Sequence, residues 1–196
     1  NLHLLPVLFS DARTVAIVRD GREVVASGMK SFGWKFESSA HRWARNVRTL
    51  LAQCDRASQD ILLVRYEDII EPEQSQICTI LDHLRLDALH FPFDDITEMP
   101  VRGSSSHIGK ENRPNWSGVR RNPNFQATKR SAGWSRAMQT RFQWIAGSEL
   151  ERLGYDTGII LSPTELRANR AIDIAKNASR PLRKQIAQRS NRKPSL

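Results

Sequence analysis

With 196 residues, 39% of them hydrophobic and five of them Trp, the chain is long enough to bury one real core and too apolar for disorder over most of its length. No run of about 18 apolar residues occurs, so the sequence encodes no membrane-spanning helix. Cys54 and Cys78 give no disulfide framework; in apolar helical contexts they suit free thiols in a reducing compartment, so a cytoplasmic location is expected. The formal net charge of +9 calls for anionic partners.

Residues 2–8 read as a short helix. The β-branched and apolar run at residues 14–18 then predicts a buried strand. It breaks at Asp20-Gly21, and Val24, Val25 and Gly28 follow at helical spacing, which predicts a helix over 21–30. A Gly- and aromatic-containing loop, 31–36, precedes a long helix over 37–54 with Trp43, Val47, Leu50 and Leu51 as its apolar stripe. Residues 61–66 predict a second strand. A helix over 72–86 follows, with Ile77, Ile80, Leu81 and Leu84 on one face. Residues 112–128 hold Pro, Asn and Gly in quantity and read as a long ordered loop, and 137–153 as a closing helix.

Ser162-Pro163-Thr164-Glu165 has the makings of a helix start, with a Ser cap, Pro at the first position and Glu at the third. The positions after Leu166 that should carry an apolar face hold Asn169, Asp173 and Lys176, so no such face forms, and Pro181 is expected to stop the helix. Residues from about 187 read as a disordered basic tail. The expected division is a domain over 1–158 and a basic helix and tail over 159–196. The tail suits weak contact with an anionic surface.

The chemistry concentrates at the first strand-turn-helix. Arg19 sits at the carboxyl end of the strand, where a helix N-terminus favours an anion, and Ser27 lies two helical turns on; both could point at one phosphate. The pattern Val18-Arg19-Asp20-Gly21-Arg22-Glu23-Val24-Val25-Ala26-Ser27 resembles the second phosphate-binding motif of the sulfotransferases. In that family such an Arg and Ser hold the 3′-phosphate of 3′-phosphoadenosine 5′-phosphosulfate (PAPS). Arg65-Tyr66-Glu67-Asp68, ending the second strand, resembles the family's next core strand, and the resemblance puts Tyr66 beside the adenine.

Arg102-Gly103-Ser104 falls where relatives carry a loop that closes over the 3′-phosphate, with Arg102 as the candidate cap. Lys129-Arg130-Ser131-Ala132-Gly133-Trp134 and the ending Leu153-Gly154-Tyr155 resemble the closing segment of bacterial sulfotransferases. Trp134 is expected as a packing anchor, while Arg130 is open between site and scaffold. Phe32, Trp34 and Phe36 fit an acceptor pocket or, preferentially, the core.

The resemblance implies a three-layer α/β domain with a mostly parallel sheet, of the P-loop-like sulfotransferase type, and PAPS-dependent transfer of a sulfuryl group to a hydroxyl or amine on a small molecule or glycan. The Ser/Gly/Thr-rich turn that cradles the 5′-phosphosulfate in relatives has no counterpart here, so the chain reads as the back portion of a larger enzyme. Some members of the family use a His upstream of the Arg strand as base, and the resemblance makes His3, the His in that region, the candidate. Residues 2–6 also read simply as a helix that packs on the sheet. His83, His90 and His107 show no metal-ligand spacing with one another or with Cys54 and Cys78, which argues against a zinc site, and His41 reads as a surface or helix-lining residue. The rival readings are a catalytically inactive relative that keeps the fold and binds a nucleotide or partner, and a basic nucleic-acid-binding module; the charge lacks the interleaved aromatics that the latter favours.

Overall fold

The computed structural model describes residues 9, 11–56, 60–70, 73–98, 104–108, 114–115 and 129–190. His3, Arg102, Gly103, the predicted helix over 2–8 and most of the predicted loop over 112–128 lie outside them.

Two parallel strands form the centre, β1 (Thr14–Val18) and β2 (Ile61–Arg65), in a register that sets Val18 opposite Arg65. Parallel strands need a crossover between them. Here it is a pair of helices, α1 (Gly21–Phe32) and α2 (Phe36–Arg56). The break between these helices is a left-handed residue, Gly33 at φ +62°, which glycine adopts without a Cβ penalty.

After β2 the chain turns at once into the short α3 (Tyr66–Ile70), so Tyr66 opens a helix rather than closing the strand as its sequence suggested. The next helix, α4 (Gln74–His83), is shorter than the predicted 72–86. Two 3₁₀ turns follow, Ala88–His90 and Phe93–Glu98. Ser104 begins β3 (Ser104–Ile108), which pairs antiparallel with β4 (Pro114–Asn115), a strand placed inside the predicted loop. The closing helices are α5 (Arg136–Arg152) and α6 (Pro163–Ser190).

The core lies between α1, α2 and α5. Val25, Ala40 and Val47 meet Phe142, Ala146 and Leu150 there, all fully buried or nearly so. Two glycines of α1 set how closely the aromatic rings approach: a Cβ on Gly21 would enter the ring of Trp43, and one on Gly28 the ring of Trp34. Phe36 is core, packed edge-on against Trp134 with ring centroids 5.2 Å apart. Phe32 and Trp34 stack on each other and stay partly exposed, 48% and 38%, against the expectation that they are core. Phe32 ends α1 and Trp34 follows the turn at Gly33, which puts both rings at the helix's outer end.

Helix α6 corrects two expectations. It begins as predicted, with Ser162 Oγ accepting from the Glu165 amide at 3.3 Å and Glu165 Oε2 from the Ser162 amide at 2.8 Å. It then continues through Pro181 to Ser190, past the expected stop and into the residues read as tail. Proline forfeits one hydrogen bond of the ladder, and a run rich in good helix formers, Ala168, Ala171, Ala175, Ala178 and Leu182, carries the helix across.

Candidate anion-binding site

The turn after β1 is fixed from several sides. Asp20 caps α1, its Oδ1 accepting from the Arg22 amide at 2.8 Å, and its carboxylate also holds the Arg22 guanidinium at 2.6 Å. The hydrogen bond that Arg22 donates to Asp20 raises its pKa above the ordinary value. The Asp20 amide donates to Glu67 Oε1 at 3.1 Å, and Glu67 Oε2 accepts from the Tyr155 hydroxyl at 2.7 Å. Burial and the neighbouring Glu67 carboxylate push the Tyr155 phenol far up, so it remains a donor. From below, Trp43 fills the space beside Gly21 and its indole N–H donates to the Arg19 carbonyl at 3.2 Å. Glu67, on the first turn of α3, therefore ties the end of one strand to the helix that follows the other and to the last turn of the domain.

The side chain that this turn delivers is Arg19. Its guanidinium carbon lies 4.8 Å from the centroid of the Tyr66 ring, a cation–π contact that orients the fork. Ser27, two turns along α1, accepts a hydrogen bond from Arg130 Nη1 at 2.6 Å. Arg130 arrives from more than a hundred residues away because Glu23, buried in the first turn of α1, clamps its backbone. Glu23 Oε2 accepts from the Arg130 amide at 2.7 Å, and Oε1 from the Ser131 amide at 3.2 Å and its hydroxyl at 2.7 Å. Lys129 takes a left-handed conformation, φ +69°, to make the turn. Trp134, three residues after Ser131, anchors the segment on Phe36 and Phe142.

Arg19, Ser27, Tyr66 and Arg130 thus converge. Burial, then the positive charge of Arg19, pulls the Arg130 pKa below its ordinary value, with Glu23 and Tyr66 acting in the opposite sense. Two guanidinium groups repelling each other in a half-buried place, with a hydroxyl bonded to one of them, form a surface whose electrostatics favour a dianion such as a phosphate monoester. Sequence reasoning named three of the four residues and left Arg130 open. It missed Glu23, whose place in the first helical turn reads as a simple partner of the helix dipole.

A second polar cluster lies where α6 meets α2 and α5. Arg141, buried, binds Glu37 and holds Asp173 at 2.5 Å; Trp144 donates to Asp173 at 2.7 Å, and Lys176 reaches Glu37 at 2.5 Å. Burial opposes ionisation of Glu37, but the hydrogen bonds from Arg141 and Lys176 outweigh it and hold the carboxyl at about 2. Glu37, His41 and Asp173 stand near enough to share a metal ion. Their carboxylates already face Arg141 and Lys176, whose charges oppose a further cation.

Residues 1–90 fit the family model described as the sulfotransferase family. The matched span runs from before β1 to the end of α4 and the first 3₁₀ turn, and so contains Arg19, Ser27 and Tyr66. No curated protein matches the chain.

Proposed function

We propose, from the fit of residues 1–90 to the sulfotransferase family model, that the chain is a PAPS-dependent sulfotransferase in which Arg19, Ser27 and Arg130 grip the 3′-phosphate of the nucleotide. The observation that carries this reading is the Arg130–Ser27 hydrogen bond formed beside Arg19. The fork of each Arg matches phosphate oxygens, and Ser27 adds a single donor once its proton turns to the ligand. Tyr66, held against Arg19, borders the adenine, and the Arg102-Gly103-Ser104 segment closes over the phosphate.

In the reaction an acceptor hydroxyl or amine attacks sulfur in line, the S–O bond to the 5′-phosphate breaks, and adenosine 3′,5′-bisphosphate leaves with both electrons of that bond. The acceptor's proton goes to a base, for which His3 is the candidate. The role of Arg19 and Arg130 is to bind and orient: fixing the 3′-phosphate sets the register of the whole nucleotide and holds the sulfuryl group in line with the acceptor. The fold we assign is the three-layer, P-loop-like α/β type, and the acceptor a small molecule or glycan. A cytoplasmic setting is supported by the two free thiols, Cys54 and Cys78.

Calorimetry tests the reading directly. Adenosine 3′,5′-bisphosphate should bind at least about tenfold more tightly than adenosine 5′-monophosphate, since a charge-assisted bond contributes about 1.5–3 kcal/mol. The preference should shrink about tenfold or more in Arg19→Ala. Equal affinities for the two nucleotides would overturn it.

A further inference from the structure

Helix α6 is built inside out. A surface helix ordinarily turns an apolar stripe to its domain and its charges to water. In α6 the side chain turned inward and buried is Asn169, 3% exposed. One turn to either side, Glu165 and Asp173 reach across to Arg136 and Arg141. Both carboxylates of the helix are consumed at the domain face. Its solvent side carries Arg167 and Arg170 together with Ile174, 64% exposed, and Leu166 and Ile172 are exposed as well. Ile160, just before the helix, is 91% exposed. Along its whole length α6 holds seven Lys and Arg against those two inward acids, and Arg192 and Lys193 follow it.

We propose that the outer face of α6 docks the protein on an anionic lipid surface, with Arg167 and Arg170 at the headgroup phosphates and Leu166 and Ile174 in the acyl boundary. Charge complementarity selects the partner, because the helix has turned every acid it owns away from that side. Lipid is favoured over nucleic acid by what accompanies the charge: isoleucine and leucine interleave with the arginines, and α6 has no aromatic ring on which a base could stack. The match to the headgroup region is also one of depth, since a helix lying flat buries its aliphatic side chains by about 5–10 Å while long Arg side chains snorkel to the phosphates. The proposal uses no residue of the Arg19–Ser27–Arg130 site, so it stands or falls apart from the sulfotransferase reading.

The experiment is co-sedimentation of the full chain with vesicles of phosphatidylcholine alone and of phosphatidylcholine containing about 30% phosphatidylglycerol, with single-stranded polyuridylate as a separate arm. Binding should be confined to the anionic vesicles and weaken as salt rises. Arg167→Glu with Arg170→Glu should lower the partition coefficient about tenfold or more, and Ile174→Ser should lower it several-fold, while both variants keep the wild-type circular dichroism and melting temperature. Failure to bind anionic vesicles overturns the proposal. So does vesicle binding that is indifferent to Ile174→Ser, or polyuridylate binding as tight as vesicle binding and equally indifferent, because either result reduces the face to bare positive charge.

Discussion

Arg130→Met separates a ligand-binding arginine from a scaffolding one, because the two roles move affinity and stability in different directions. The substitution removes a guanidinium that donates to Ser27 at 2.6 Å and sits near the like charge of Arg19. It leaves the backbone of the segment clamped, since Glu23 holds the residue by its main-chain N–H. Losing the charge-assisted hydrogen bond to Ser27 costs about 1.5–3 kcal/mol, and relief of the repulsion with Arg19 and of the burial of the charge offsets much of it, leaving about 1 kcal/mol. For a chain of this size, the melting temperature of the free protein should therefore fall by no more than about 2–4 °C. Affinity for adenosine 3′,5′-bisphosphate should fall by roughly 10- to 150-fold, the equivalent of about 1.5–3 kcal/mol for a charge-assisted bond to phosphate. Calorimetry and ligand-dependent melting read the two quantities on one preparation, and Ser27→Ala should show a smaller loss of affinity. A drop in melting temperature like that of a core truncation, with affinity unchanged, would refute the reasoning and make Arg130 a strut.

The first strand-turn-helix was legible because its determinants are local. The apolar run of β1, the Asp20 cap and the spacing from Arg19 to Ser27 all lie within fourteen residues, and the structure draws β1 with the predicted bounds. The parallel pairing of β1 with β2 also follows from their composition and the helical stretch between them. Arg130 and Glu23 were harder to read because their meeting is a contact between segments more than a hundred residues apart, specified by neither segment alone. Helix α6 shows a different blindness. An apolar stripe is the usual mark of a docked helix, and Asn169, Asp173 and Lys176 at its expected positions read as failure to dock. Those same residues make the interface, through Arg141, Trp144 and Glu37. A hydrophobic periodicity cannot register a helix held by buried polar partners.

Gly21→Ala should destabilise by about 1–3 kcal/mol, because its Cβ falls within the Trp43 ring and displacing that ring also strains the indole bond to the Arg19 carbonyl. Nucleotide affinity should drop with it, whereas Gly133→Ala, which meets nothing within 4 Å, should leave both melting temperature and affinity near wild type. The last prediction concerns acid. Glu37 is held at about 2, well below the ordinary carboxylate value, because Arg141 and Lys176 favour its ionised form over burial, and Asp173 beside it is lowered in the same sense. A depressed folded-state pKa means that the unfolded chain binds the proton first. The stabilisation is therefore complete above about pH 5 and is lost as pH falls from there toward 2. Glu37→Gln removes this titration, so its melting temperature should lie below wild type at pH 7 and converge with it in acid. Thermal melts at intervals between pH 7 and pH 3 check the sign: a gap between the two proteins that stays constant or widens on acidification would mean that the carboxylate of Glu37 does not hold α6 in place through its charge.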